Sequence, residues 1–366
     1  MKWFERQLNF DIWLLGAVLA LSFFGMLMIY STSFILSVQA FGNPYHYFKH
    51  ELIYLFVGLL GMVAAMHFNN ERWRHFGSLF MAAAFAGLVA VFLFGATRGA
   101  HRWLRYAGFQ FQPSELAKFA VILYFAHSLA KRQEKLKSFW SGLAPYLGIL
   151  GLYVGMVMLE PDFGGALSIG LLGVMLLFTA GVNLKYLAAA GGAAVPVGLY
   201  FLASEEYRWR RLVAFLDPWQ YSKDYAFQLI QSFLAFGNGG LLGVGLGMGH
   251  QKLFYLPDAH TDFIFSVIAE EWGWLGVMAV IAVYALFITR GAMIAIFAEN
   301  RYSSYLAMGI TAMIGLPAVI NMAVVTGLLP TKGLVLPFLS YGGSSLLINL
   351  FATGILLNIS AKRFQA

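Results

Sequence analysis

The chain has 366 residues, of which 60% are hydrophobic and only 11% are charged. Soluble domains carry about 25% charged residues, so this composition excludes a soluble globular protein and indicates one that crosses a membrane several times. The absence of cysteine excludes disulfides, thiol catalysis and cysteine-based metal sites. The net charge of +7 is not gathered in a separate basic domain, so we expect no nucleic acid partner and attribute the excess to membrane topology.

Apolar runs between polar interruptions predict an all-α polytopic membrane protein, in which residues 1–366 form one integral-membrane domain. Ten spans are predicted, at residues 12–32, 52–68, 76–97, 115–130, 143–159, 165–181, 186–203, 264–289, 304–325 and 344–360. The first run is too long for the core of a signal peptide, and we expect it to be retained as a span. The run at 264–289 contains Glu270 and Glu271, and it fits either one tilted helix or a re-entrant segment followed by a span.

The lysines and arginines of the connecting segments predict the orientation of the chain. They favour the side of the N-terminus, which places both termini in the cytoplasm. The one long loop, 204–262, lies outside between spans seven and eight, and its first part has the mixed pattern of amphipathic helices along the interface. The glycine-rich stretch 237–249 within it lacks the spacing of a nucleotide-binding loop, and we interpret it as a flexible hinge.

The stretch from Lys252 to Gly273 changes without interruption from a polar, turn-prone segment to an apolar helix. Asp262 falls at this change, where water gives way to hydrocarbon. An ionisable group at such a position is costly, and its default interpretation is functional. The alternative is that Thr261 or Asp262 only caps the helix that follows, and the local sequence leaves both open.

Charged residues at the outer ends of two spans point to an anionic ligand. Arg98, Arg102 and Arg105 occupy a short outer loop, against the usual bias of basic residues toward the cytoplasm. They suit a substrate whose phosphate oxygens arginine can grip, or alternatively phospholipid headgroups. Glu115 and Lys118 open the next span on one helical face, either as a structural ion pair or with a direct role in chemistry.

Three further patterns bear on the outer surface and on partners. Glu160 and Asp162 stand beside a tight glycine turn, and a cap explains Asp162. Residues 328–347 predict an outer loop that dips toward the last span, which is tolerated only where it lines a cavity or packs on protein. Small residues recur at every third position of span nine and predict a surface for a partner helix. They are Gly309, Ala312 and Gly315.

Five stretches of the chain together resemble the SEDS family of peptidoglycan polymerases, which includes FtsW, RodA and SpoVE. They are HRWL at 101–104, FQPSELAKF at 111–119, EPDFGGAL at 160–167, YLPDAHTDFIFSVIAEEWG at 255–273 and LPFLSYGGSS at 336–345. FLDPW at 215–219 and PTKG at 330–333 are more similar to the FtsW branch than to the RodA branch. Asp258 stands where the family often has Glu, and Trp272 where Leu is common, but neither touches the core of the motif.

The resemblance implies an inverting glycosyltransferase that polymerises lipid II into glycan strands on the outer face of the bacterial inner membrane, with a role in cell division. It implies Asp262 as the catalytic base. Its partners would be a class B penicillin-binding protein and other divisome or elongasome membrane proteins. The resemblance and the reaction chemistry mark further substrate-binding or supporting residues. They are Trp103, Glu115, Lys118, Arg102, Arg105, Arg210, His260, Lys332, Ser340 and Tyr341.

Inversion needs a base on the attacking hydroxyl and cations at the departing pyrophosphate, and four residues are unranked candidates to hold that pyrophosphate. These are Arg102, Arg105, Arg210 and Lys332. A divalent cation, Mg or Mn, suits the chemistry, although no cluster of ligands specifies one. The alternatives are a lipid II flippase, a RodA-type elongation polymerase, and a scaffold that only recruits a synthase. The charged residues of the spans would suit the transport path of a flippase, namely Glu115, Lys118, Glu270 and Glu271.

Overall fold

Helix α1, Ile12–Phe41, shows how sequence defines the ends of the long helices. Asp11 caps it by accepting a hydrogen bond from the backbone N–H of Leu14 at 3.0 Å. The helix ends at Gly42, whose φ of 65° is adopted at little cost only by glycine. The computed structural model describes residues 10–93, 101–106, 109–203, 206–253 and 255–363. The predicted outer Arg98 therefore lies outside the described residues.

Nine further long helices in the described part of the chain correspond one by one to the remaining predicted spans. They are α2 (His46–His67), α3 (Asn70–Ala90), α4 (Pro113–Lys131), α5 (Ala144–Leu159), α6 (Phe163–Thr179), α7 (Leu184–Ala203), α10 (Ile264–Ile296), α11 (Arg301–Val325) and α12 (Gly343–Arg363). The predicted long loop contains the shorter α8 (Glu206–Leu216) and α9 (Phe227–Gly239). Single turns of 3₁₀ or π helix lie at Val91–Leu93, Gln133–Lys137 and Phe139–Leu143.

A small β-hairpin interrupts the otherwise helical architecture between α3 and α4. Strands β1 (Leu104–Tyr106) and β2 (Phe109–Phe111) pair antiparallel, with Arg105 opposite Gln110. Arg105 of the predicted anion-binding cluster lies in β1, and Arg102 lies two residues before that strand.

Eight helices of the described chain are long and apolar enough to cross a membrane, so the chain is a membrane protein. Helix α6 is apolar but has only 17 residues. Helix α4 carries Glu115 and Lys118 in its first two turns. The helical architecture is confirmed, whereas the count of ten spans stays a prediction.

The start of α1 anchors one end of the bundle. Arg290 of α10 donates through Nε to both carboxylate oxygens of Asp11, at 2.8 and 3.1 Å, and Ser360 of α12 accepts the Asp11 N–H at 3.0 Å. About twenty residues further along α1, Ser31 donates to Glu271 of α10 at 2.8 Å. That distance is a rise of about 30 Å, the thickness of a bilayer's hydrocarbon core. We call the Asp11 side the anchor end and the opposite side the loop end.

Helix α10 is interrupted at Gly273, where φ is 64° and ψ is −164°. The glycine-rich stretch closes the gap with four backbone hydrogen bonds of 3.0 to 3.2 Å, from Val244 to Glu270, Gly245 to Glu271, Trp274 to Gly240 and Leu275 to Leu241. A Cβ atom at Gly239 or Gly243 would overlap the helix backbone. The glycines therefore permit close backbone approach, and their interpretation as a flexible hinge is wrong.

The small residues of α11 face the interior of the bundle. A Cβ atom at Gly309 would crowd Ile122 of α4, and one at Gly315 would lie 3.0 Å from Ile288 of α10. Ala312 between them is also buried. The prediction that this face receives a partner helix is therefore wrong, because it packs against the chain's own helices.

Helix α4 lies in the middle of the bundle, packed against α3, α6, α11 and α12. Nearly every side chain from Ala117 to Phe125 is buried. Lys118 Nζ lies 2.7 Å from Glu115 Oε1, and both side chains are buried. The predicted pair on one helical face is therefore an ion pair inside the protein. A buried pair of this kind is costly to break by removing one partner, because the remaining charge stays desolvated.

We expect Glu115→Gln or Lys118→Met alone to destabilise the protein by about 3–5 kcal/mol, and the double variant to be less destabilised than the sum of the two. Thermal unfolding in detergent measures the difference. Lys131→Met, at the exposed end of the same helix, serves as the control and should change stability by no more than about 0.5 kcal/mol. Strictly additive losses would show that the two side chains do not stabilise each other.

Candidate functional site

Two irregular segments meet at the loop end, and the side chain of Asn321 joins them. The amide Nδ2 of Asn321 donates to the carbonyl of Asp262 at 2.7 Å and to the carbonyl of Leu334 at 2.6 Å. The first acceptor precedes α10 and the second precedes α12. Buried carbonyl groups outside regular structure need such partners, so this amide determines where the two segments lie.

The segment before α12 also contacts the two residues that precede Asp262. Ser340 Oγ donates to the carbonyl of Thr261 at 2.6 Å, and Tyr341 N–H donates to the carbonyl of His260 at 2.9 Å. The prediction that Ser340, Tyr341 and His260 belong to one site with Asp262 agrees with this geometry. Ser340 and Tyr341 contribute by holding the backbone beside Asp262.

The carboxylate of Asp262 is partly exposed and accepts no hydrogen bond within the described residues. A Cβ atom at Gly333 would lie 3.0 Å from its Oδ2, so any larger residue there would press on the carboxylate. A Cβ atom at Gly164, at the start of α6, would lie 2.7 Å from the carbonyl oxygen of Gly333. Asp262 therefore projects free of protein partners between two tightly packed loops. It does not cap α10, since that helix has no side-chain cap.

Asp162 connects the starts of α4 and α6 beside this site. It caps α6 by accepting from the Gly165 N–H at 3.0 Å, which confirms the predicted cap. It also accepts from Gln112 Nε2 at 3.0 Å and from Ser114 Oγ at 3.4 Å. Asp162 therefore both starts a helix and places a negative charge near Asp262.

Arg102 is a predicted cation that the structure places beside this group of acids. It donates to the carbonyl of Glu160 at 3.3 Å and to the carbonyl of Pro161. Glu160 itself is fully buried, and neither of its carboxylate oxygens has a hydrogen-bond partner within the described residues. Burial raises the pKa of Glu160 to about 8, Asp162 adds to the rise, and Arg102 opposes it. Glu160 is therefore mostly protonated at neutral pH.

The same charges act on Asp262. Burial, together with the like charges of Asp258 and Asp162, raises the pKa of Asp262 to about 7, against the opposing effect of Arg102 and Arg211. A carboxyl group whose pKa lies near neutrality is ionised in about half of the molecules at that pH and can accept a proton there. This combination of a free carboxylate, partial exposure and a shifted pKa is typical of a catalytic acid or base.

The remaining predicted cations, Lys332 and Arg210, differ in their burial and in their surroundings. Lys332 precedes Gly333 and is partly buried, and burial lowers the pKa of its ammonium group. Arg210 is exposed, pairs with Glu206 and lies over the ring of Tyr225, 5.8 Å from its centre. It lines an open cleft of about 400 Å³ together with Arg211, Asp224, Tyr225, Phe227, Gln228 and Pro257.

Trp103 and Arg105 belong to the β-hairpin. Trp103 immediately precedes β1, and Arg105 is exposed within it. The hairpin is joined to the site through its second strand, where Tyr54 of α2 and Ser344 of α12 both donate to the carbonyl of Gln110, at 2.8 and 3.1 Å. In α4, Lys118 Nζ donates a hydrogen bond to Glu115 Oε1 at 2.7 Å.

Glu270 and Glu271 have structural partners, which weakens the argument for a transport path. The carboxylate of Glu270 accepts backbone N–H groups from His250 and Gln251, at 3.0 and 3.1 Å. Glu271 lies 2.6 Å from Lys252 Nζ, and both side chains are buried. The two acids hold residues 250–252 against α10 instead of lining a route for a substrate.

Sequence analysis missed two residues of the site, Asn321 and Glu51, the second of which accepts a hydrogen bond from the Gly342 N–H at 3.3 Å through Oε1. Each is a polar residue within or beside an apolar run, which is a recognisable signal. Asn321 lies inside the predicted span 304–325. Glu51 was left out because the predicted span began at residue 52, whereas helix α2 begins at His46.

The donor set of the site was also compared with the expected divalent cation. Within the described ranges, no group of three or more His, Asp or Glu side chains could hold a metal ion. A cation held by one or two carboxylates together with the phosphates of a substrate needs no such group. The expected Mg or Mn therefore stays a prediction, and no step of the mechanism is derived through one.

Comparison with known proteins gives a consistent assignment. The model of the cell cycle protein family of FtsW, RodA and SpoVE matches residues 12–365. A probable peptidoglycan glycosyltransferase FtsW from a Geobacter species is 46% identical over 361 residues, which cover 98% of this chain and 98% of that protein. The protein of the same name from Trichlorobacter lovleyi is 44% identical and covers 97% of this chain and 94% of its own.

Solved structures agree with the fold. A chain from a peptidoglycan synthase complex, studied for the structural coordination of polymerization and crosslinking, is similar with a TM-score of 0.79 and 26% identity, covering 98% of this chain and 99% of that one. The rod shape determining protein RodA of Thermus thermophilus is similar with a TM-score of 0.71 and 26% identity, covering 98% of each chain. With the family model matched almost from end to end, the chain belongs to the FtsW, RodA and SpoVE family of cell cycle proteins.

Proposed function

We propose that this chain is a peptidoglycan glycosyltransferase that joins lipid II units into glycan strands, with Asp262 as its catalytic base. The observation that carries the proposal is the carboxylate of Asp262, which is free of protein partners at the loop end of a membrane bundle. Family membership supports the reaction class. The relatives named FtsW, at 40% identity or more, support a role in cell division over one in elongation.

The chemistry asks for one base and for stabilisation of a departing anion. The sugar of lipid II is linked through an α-pyrophosphate and the product linkage is β, so the anomeric carbon inverts in a single displacement. The attacking 4-hydroxyl oxygen forms the new C–O bond while its proton passes to Asp262. The bond to the pyrophosphate breaks and the leaving group takes the electron pair. No nucleophilic carboxylate is required.

Cations near Asp262 would stabilise the leaving pyrophosphate. Arg102 and Arg211 act electrostatically on Asp262, and Lys332 adjoins the glycine against which the carboxylate packs. The lowered pKa of Lys332 would rise again when an anion binds, because an opposite charge favours the protonated form. These three cations are therefore better placed for the pyrophosphate than Arg105, which is exposed on the hairpin.

The proposed partner is a class B penicillin-binding protein, with other membrane proteins of the division machinery. Support comes from the similar chain that was solved within a peptidoglycan synthase complex. Polymerised strands must be cross-linked, so an enzyme that makes them gains from a transpeptidase held beside it.

The proposed orientation puts the loop end on the outer face of the bacterial inner membrane and the termini in the cytoplasm. Reporter fusions test this: we expect residues 131–140 to read as cytoplasmic and residues 217–226 as outside. A cytoplasmic result for 217–226 would contradict the mechanism, because lipid II would then be polymerised on the wrong side.

Asp262→Asn should abolish polymerisation of lipid II by the purified protein, lowering the rate about 10²–10⁴-fold, because the amide cannot accept the proton. Product length on gels measures the activity, alone and with the partner synthase. Asp217→Asn, a change of the same chemistry at an exposed loop position, should leave the rate unaltered. Glycan made at the normal rate by a well-folded Asp262→Asn variant would refute the assignment. A flippase would instead move labelled lipid II across liposomes without lengthening it.

The pH dependence of kcat/KM should follow the ionisation of Asp262. Since burial raises its pKa to about 7 and the base must be ionised, the rate should rise with pH, reach half of its maximum near pH 7 and level off above about pH 8. Asp258→Asn removes a like charge and should move the rising limb to lower pH. A profile that is flat from about pH 5.5 to 8 in the wild-type protein would exclude a base with this pKa.

A further inference from the structure

Three residues of α2 form one stripe that faces the loop end of the site. Tyr47, Glu51 and Tyr54 stand at the i, i+4 and i+7 positions of the helix, so their side chains lie on the same face. Each contacts a different part of the site. The stripe therefore spans both segments that meet around Asp262.

Glu51, at the centre of the stripe, is unusual for a membrane-spanning helix. Its side chain is 1% exposed. One carboxyl oxygen, Oε1, accepts the Gly342 N–H at 3.3 Å, and the other has no hydrogen-bond partner within the described residues. Acids inside such helices are costly and are kept where they serve a function. The contact with Gly342 indicates which function.

Gly342 is the last of three consecutive residues, 340–342, that connect α2 to residues 260–262. Its N–H goes to Glu51. The preceding two residues, Tyr341 and Ser340, donate to the carbonyls of His260 and Thr261, at 2.9 and 2.6 Å. Thus one short piece of backbone is held by Glu51 on one side and holds the two residues before Asp262 on the other.

The outer residues of the stripe secure the same arrangement. The ring of Tyr47 lies 5.2 Å from the ring of His260 and 5.1 Å from that of Tyr341. Tyr54 donates to the Gln110 carbonyl at 2.8 Å, and its ring fills the space where a side chain at position 343 would lie. Helix α2 therefore contacts both the hairpin, through Tyr54, and residues 260–262, through Tyr47.

We propose that Glu51 is a positioning residue for Asp262 and acts through the backbone of residues 340–342. The inference rests on the proposed function of Asp262 as the base. Glu51 does not touch substrate. It accepts the Gly342 N–H and so fixes the position of residues 340–342. These residues in turn position the carbonyls of His260 and Thr261, and thereby the carboxylate of Asp262. A displacement of about 1 Å in such a group can cost about 10²-fold in rate.

Two substitutions of Glu51 by residues of similar size distinguish a role of its hydrogen-bond acceptor from a role of its charge. Glu51→Gln keeps an oxygen that accepts the Gly342 N–H, so kcat should stay within about threefold of wild type. Glu51→Leu removes the acceptor, and kcat should fall about tenfold or more while KM for lipid II stays within about threefold. Leu52→Ala, on the exposed side of the same turn, is the matched control and should retain both values.

Hydrogen exchange provides a readout besides activity. Backbone exchange of residues 340–342 should quicken in Glu51→Leu and remain slow in Glu51→Gln and Leu52→Ala. If Glu51→Leu does not fold, Glu51→Asp replaces it, because the shorter acid cannot reach Gly342 and should show the same loss of kcat.

A normal kcat in folded Glu51→Leu would overturn the inference, and so would equal losses in the Gln and Leu variants, which would assign the role to the charge. Asp262→Asn, assayed alongside, distinguishes this failure from failure of the proposed function. An active Asp262→Asn variant would contradict the role of Asp262 as the base. An inactive Asp262→Asn variant together with fully active Glu51 variants would contradict only the positioning role of Glu51.

Discussion

One side-chain amide holds the loop end of this bundle together. Asn321 donates to the carbonyls of Asp262 and Leu334, which lie in segments that the chain reaches more than seventy residues apart. Without that amide, two buried carbonyls would lose their partner at about 1–3 kcal/mol each. Irregular backbone near the hydrocarbon is tolerated only when such groups are satisfied. The position of the Asp262 backbone therefore depends on a hydrogen bond from a neutral side chain.

The two ends of the bundle distribute their charges differently. At the anchor end, Asp11 is matched by Arg290, and the pair joins helices that are far apart in sequence. At the loop end, Glu271 is likewise matched by Lys252, whereas the carboxylates of Asp262 and Glu160 accept no hydrogen bond within the described chain. A buried acid without a hydrogen-bond partner, such as Glu160, reduces stability, and groups of this kind are typical of functional sites.

Much of the helical framework could be predicted because hydrocarbon demands long apolar runs, and these are visible in sequence. The Asp262 motif was visible for the same reason, as an acid at the edge of such a run. Asn321 and Glu51 were not recognised because their importance lies in which distant backbone groups they meet. That information belongs to the packing of α2 and α11 against two loops, which periodicity cannot supply.

The glycine-rich stretch was misjudged for a related reason. Glycine density indicates either freedom or close approach, and sequence alone does not say which. Only the break at Gly273 shows that these glycines let one backbone lie against another. The overlap that a Cβ atom would make with the neighbouring backbone decides between the two interpretations.

The joint between the glycine-rich stretch and α10 also bears on how the protein is made. Its four backbone hydrogen bonds pair residues 240–245 with residues 270–275, so the earlier segment cannot be satisfied until the later one has left the ribosome. Backbone amide groups that will be buried need these partners. We expect α9 and the glycine-rich stretch to pack against α10 as one unit once residue 275 has been synthesised, and not as successive independent segments.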